Sequence, residues 1–146
     1  MKLTPHFTLA ELTASQIAER HNIDNSPTAA VLERLKHTAL GLEAVRIRLG
    51  APIIVSSGYR CQAVERILKN KPPSWISASD HVTGDAADFI CPGFGPPVTV
   101  VSALMGAGIE FDQLIQEFGS WVHISFAPRM RGQVLVIDRN GTRPFM

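Results

Sequence analysis

The feature that most narrows the fold lies between Val31 and Leu49, where Leu35, Ala39, Leu42, Val45 and Leu49 recur every three or four residues. Apolar side chains at that spacing line one side of an α-helix, because 3.6 residues complete a turn. Gly50 and Pro52 end the pattern, the first by accepting a left-handed cap, the second by lacking the amide a helix needs. A helix with one long apolar stripe must bury it, so the rest of the chain has to supply the surface that covers it. With 146 residues, 45% apolar and 18% charged, the chain is large enough for one core and far from the composition of a disordered segment; residues 1–146 are expected to form a single domain.

Before that helix, Thr8-Leu9-Ala10-Glu11 has the form of a capping box and predicts a short helix reaching about His21, while Ser26-Pro27 opens the long one. After it, Pro52 to Ser56 reads as a β-branched strand and Cys61 to Lys69 as a helix. The polar stretch from Lys71 to Gly84 reads as a loop leading into a strand over Ala86 to Ile90, followed by a loop from Cys91 to Pro97. Val98 to Ala107 predicts a helix closed by Gly106 and Gly108. Gln113 to Glu117 and Trp121 to Phe126 predict a hairpin turning through Phe118-Gly119-Ser120, and Val134 to Ile137 a last strand. Helices gathered early and strands later argue an α+β fold, N-terminal helices packed on a small, mostly antiparallel sheet.

Charge excludes some partners. Fourteen basic against 13 acidic side chains leave a net charge of +1, too little to bind nucleic acid or an anionic membrane by field alone. The longest uncharged stretch, residues 89–109, is interrupted by glycines and prolines and cannot form a spanning helix. Met1 to His6 lacks the apolar run of a secretory signal, so synthesis in the cytoplasm without a signal peptide is expected. Cys61 and Cys91 could make one bridge at most and are read as small, buried, apolar side chains; neither has the short paired spacing of a cysteine zinc site.

Of five histidines, His6, His21 and His37 stand in ordinary polar or amphipathic helical surroundings and are given no role. His81 and His123 adjoin strand-like segments with acids nearby, the mixture a zinc site draws on. On a continuous helix His81 and Asp88 would stand about 10.5 Å apart along the axis, too far to share an ion through bonds of about 2 Å. A turn has to bring them together, and Thr83-Gly84 supplies one, with Ala86 and Ala87 small enough for close strand packing.

The string Ser79-x-His81-x-x-Gly84-x-Ala86-x-Asp88 resembles the first zinc motif of peptidase family M15, the D-alanyl-D-alanine carboxypeptidases and related peptidoglycan endopeptidases. Trp121-Val122-His123-Ile124-Ser125 resembles its second motif, and Ser56-Ser57-Gly58-Tyr59-Arg60 the segment carrying its substrate-facing arginine. The three stand in the family's order over roughly Phe7 to Phe126, and the chain resembles in particular the small single-domain members common in bacteriophages and bacterial genomes. The resemblance implies a hedgehog/DD-peptidase-like sheet and a zinc ion held by His81, Asp88 and His123 with a fourth position open to water. It further implies Arg60 on the substrate carbonyl or carboxylate, with Ser57, Tyr59, Ser79 and Trp121 around the substrate. The implied substrate is a peptidoglycan stem peptide, met by a monomer that reaches the cell wall through a lysis system or aboard a virion. Tyr59 and Trp121 fit a cleft wall and equally a core. Asp80 and Asp85, flanking the ligands, are read as solvated loop carboxylates.

The general base departs from the family pattern. Many members carry an acid three residues before the last histidine, where this chain has Ser120. If Glu117 pairs with Trp121 across the hairpin, strand alternation puts Glu117, Trp121 and His123 on one face, with Glu117 and His123 diagonal neighbours about 7–8 Å apart. Glu117 is therefore the expected base, and Gln116 and Asp112 fall on the opposite parity. A non-catalytic, zinc-containing wall-binding or virion module of the same fold is the alternative that Ser120 keeps open.

Overall fold

A computed structural model describes all of residues 1–146. The chain begins with a two-stranded ribbon of β1 (Lys2–Thr4) and β2 (Phe7–Thr8), followed by α1 (Leu9–Thr13), α2 (Gln16–Arg20) and the long α3 (Ala29–Leu49). Then come β3 (Ile54–Ser57), α4 (Gln62–Leu68), α5 (Asp80–Thr83), β4 (Ala86–Ile90) and α6 (Pro97–Leu104). The strands β5 (Gln113–Glu117), β6 (Trp121–Ser125), β7 (Gln133–Asp138) and β8 (Gly141–Pro144) complete it. Six strands form one mixed sheet in the order β3-β4-β6-β5-β7-β8, antiparallel throughout except for the parallel pair β5 and β7. The architecture is α+β, and no helix is long and apolar enough to cross a membrane.

The capping box forms: the Thr8 hydroxyl accepts from the Glu11 amide while the Glu11 carboxylate accepts from the Thr8 amide. The helix it starts is shorter than the sequence predicts, because Ala14 turns extended and Ser15 caps a second helix through the Ala18 amide. Thr28, rather than Ser26, caps α3 by accepting from Val31, and Gly50 closes it in the left-handed region with φ 65°. The α3 stripe of Leu35, Ala39, Leu42, Val45 and Leu49 is buried in one apolar cluster with Ala87, Phe89, Leu114, Val122 and Ile124. Those last five residues alternate along β4, β5 and β6 and so define one face of the sheet. The opposite face carries Asp88, Ile115, Glu117, Trp121 and His123.

Two elements absent from the sequence reading matter here. Residues 80–83, expected as loop, form the single helical turn α5, capped by the Ser79 hydroxyl and closed by Gly84 at φ 86°. Gly84 is required twice over, since a Cβ there would also press on the Val31 carbonyl 3.0 Å away. The terminal strand β8 pairs with β7 as a largely exposed edge. The predicted helix over 98–107 stops at Leu104, with Gly106 and Gly108 both at positive φ beyond it.

Candidate metal centre

Each residue of the centre is placed by a separate backbone device. Asp88 and His123 are directly opposed partners on β4 and β6, which directs both side chains to the same face at neighbouring positions. His81 arrives from above on α5, whose start is fixed by Ser79 and whose end is fixed by Gly84. The α3 helix holds this segment from behind: the Thr38 hydroxyl donates to the Gly84 carbonyl at 2.7 Å, and Arg34 pairs with Asp85. Gly58 contributes its carbonyl, which accepts from His81 Nδ1 at 2.7 Å, and a Cβ at Gly58 would collide with the Leu12 carbonyl.

That bond decides the chemistry of His81. With its proton on Nδ1 given to Gly58, the Nε2 lone pair faces His123 Nδ1 at 3.2 Å and Asp88 Oδ1 at 3.3 Å, while His123 Nδ1 lies 3.0 Å from Asp88 Oδ1. One nitrogen lone pair and one carboxylate oxygen thus face each other, and the single proton available to His123 Nδ1 cannot serve both. A cation resolves this. Three ligand atoms on a tetrahedral ion with bonds of about 2.0–2.1 Å stand about 3.3–3.4 Å apart, close to the observed triangle, so the donor set fits a divalent metal such as zinc. All three ligands are buried. Burial holds the His81 imidazole below its ordinary value and so in the neutral form a metal needs. Burial pushes the Asp88 carboxyl up, and the adjoining His81 and His123 more than reverse that, leaving it ionised far below the usual range.

Glu117 pairs with Trp121 in the hairpin register expected, which puts its Oε1 3.9 Å from His123 Nδ1. Burial and the negative charge of Asp88 raise its carboxyl above the ordinary glutamate value. Ser120 sits exposed in the turn and donates its hydroxyl to the Phe118 carbonyl. The other acids nearby are occupied. Asp112 is fully buried under a bidentate fork from Arg131, and Asp80 pairs with Arg129. Asp85, read from sequence as a solvated carboxylate, is buried and held by Arg34 and the Thr83 hydroxyl; Asp80 too is ion-paired rather than free. Their arginine partners lie 49 or more residues away along the chain, which local sequence does not disclose. Glu117 alone among these acids has no lysine or arginine partner.

Arg60 lies on the other side of Asp88, only 12% exposed in its side chain. Its Nε donates to Glu65 at 2.8 Å, its Nη1 donates to Ser57 at 2.8 Å and stands 3.7 Å from Asp88, and its Nη2 meets no partner in the protein. Ser79 and the Arg129 and Arg131 side chains line a hollow of about 230 Å³ beside His123 and Glu117. Trp121 shares the face of Glu117 and His123, half-exposed, with its indole N–H buried and unpartnered. Tyr59 is placed elsewhere: its ring belongs to the apolar core, and its contribution near the site is a carbonyl that accepts from Asn25. Cys91 is buried in the same core and Cys61 is half-buried at the start of α4; both thiols are free.

The sequence reading missed Glu65, the Gly58 carbonyl and Ser77. Glu65 left one trace, a charged residue directly after Val64, the other side chain that the helix buries.

The His-Asp-His triangle could hold a metal ion, and an unclamped glutamate lies beside it. The profile of the M15 peptidases matches residues 5–125, most of the chain, and this protein belongs to that family. No curated protein sequence matches it.

Proposed function

We propose that the protein is a zinc peptidase that cleaves peptide bonds of bacterial peptidoglycan stem peptides. The observation that carries this reading is the buried triangle of His81 Nε2, Asp88 Oδ1 and His123 Nδ1, three donors and one remaining position. Zinc bound there would polarise the scissile carbonyl and supply a nucleophilic water near neutral pH. Glu117, unclamped and with a raised carboxyl value, is suited to take a proton and return it to the departing amine. The free Nη2 edge of Arg60 is suited to hold the substrate carbonyl oxygen as negative charge develops on it. Ser57 steadies that arginine, while Ser79 and Trp121 flank the path of the peptide. Access to the wall fits release by a lysis system or carriage in a virion.

Ser120, exposed at the position where many relatives carry their acid, favours the second reading of a wall-binding module that keeps the metal centre without turnover. Incubating the zinc-loaded protein with purified muropeptides and following product masses separates the two. Accumulating hydrolysis products support the peptidase; binding to wall without product supports the module.

A further inference from the structure

We propose that Glu65 is a positioning residue that keeps Arg60 from capturing the metal ligand Asp88 and turns its free edge toward the substrate. The inference rests on the reading of Arg60 given above. Glu65 is a carboxylate with no exposed surface, which makes it costly unless every oxygen is used. Its two oxygens do different work. Oε2 accepts from Arg60 Nε at 2.8 Å, and Oε1 accepts from the Ser77 hydroxyl at 2.7 Å, with Lys69 Nζ 3.8 Å away.

The Ser77 oxygen accepts in turn from the Ser79 amide, and the Ser79 hydroxyl from the His81 amide, each at 3.2 Å. The Gln62 side chain pairs with both the amide and the carbonyl of Ser77. The carboxylate is therefore pinned from two directions and cannot follow Arg60 if Arg60 moves.

The consequence lies with Asp88. Its Oδ1 faces the two imidazoles, and its Oδ2 faces Arg60 Nη1 at 3.7 Å, longer than a hydrogen bond. A guanidinium released at Nε has one stronger option close by, a fork onto Asp88, which would neutralise the carboxylate that the metal requires. Glu65 removes that option by supplying the negative charge Arg60 needs at a distance from the metal centre. A buried acid in this role explains why Arg60 lies beside a ligand without hydrogen bonding to it.

The test is a double-mutant cycle on zinc affinity, measured by competition with a chromogenic chelator, together with kcat and KM where turnover is found. Glu65→Gln keeps the shape and removes the charge, so Arg60 shifts toward Asp88; zinc affinity should fall about 10-fold, within the usual range for residues behind a ligand, and kcat should fall more than KM changes. In an Arg60→Met background the same Glu65→Gln change should alter zinc affinity by less than about twofold, because nothing is left to capture Asp88. An equal loss in both backgrounds would overturn the proposal and make Glu65 a packing residue. If Arg60→Met alone does not fold, the double variant decides: near wild-type zinc affinity supports the proposal, and a loss equal to that of Glu65→Gln overturns it. Zinc affinity reads this arrangement whether or not the protein proves to be a peptidase, so failure of the proposed function and failure of this inference are separable.

Discussion

The metal centre and the ring of carboxylates around it use the same residue types to opposite ends. In the ring, Asp85 is closed by Arg34, Asp112 by Arg131, Asp80 by Arg129 and Glu65 by Arg60. At the centre, Asp88 faces two imidazoles, with Arg60 3.7 Å from its other oxygen and not hydrogen-bonded to it, and Glu117 lies 3.9 Å from His123. A carboxylate already held by a guanidinium has little left to offer a cation; one whose near oxygen faces two imidazole nitrogens keeps that oxygen for a metal. The difference between framework and chemistry here is a difference in who holds the charge, and it follows from backbone placement rather than from residue identity.

The sharpest way to break this comparison is to remove the acid proposed as the base. Glu117→Gln should keep fold and zinc and lower kcat by about 10²–10⁴-fold, read by steady-state turnover of muropeptides; wild-type turnover would move the base elsewhere. Next in size, Arg60→Lys should lose about 2–4 kcal/mol of transition-state stabilisation, seen in kcat/KM, because an ammonium has no planar fork. In the ring the effect should appear in stability instead: Asp85→Asn should cost about 1–3 kcal/mol in chemical denaturation while zinc stoichiometry stays unchanged.

A smaller contrast concerns acid. Glu65 carries a carboxyl held below the ordinary glutamate value despite burial, by the Ser77 hydroxyl and the charges of Arg60 and Lys69. A depressed folded value means that this group's stability is complete above about pH 4.5 and is lost as pH falls through the lower folded value. Thermal melts of metal-free protein across that window should therefore decline more steeply for wild type than for Glu65→Gln. The smallest expected effect is Ser120→Ala, under about twofold in kcat, because an exposed turn hydroxyl bonded to Phe118 touches nothing in the centre.

Legibility from sequence followed the range of the interaction. The β5–β6 hairpin was readable because a period of two and a three-residue turn fix register together, and Glu117 opposite Trp121 follows from those alone. The α3 stripe was readable for the same reason of period. A one-turn helix such as α5 completes no period, and its existence depends on Ser79 and Gly84 acting at its two ends. The ring of ion pairs was unreadable because its members meet only after folding: Arg34 reaches Asp85 across 51 residues and Arg129 reaches Asp80 across 49. Glu65 lies five residues from Arg60, yet what makes it consequential is burial, a property of the assembled fold.

The central claim is that His81, Asp88 and His123 hold one zinc ion together. Elemental analysis of purified, zinc-equilibrated protein, run alongside His81→Ala and His123→Ala, tests it most directly. One zinc per chain in the wild type and none retained at tight affinity by either variant is the expected result. Undiminished zinc in both variants would contradict the site.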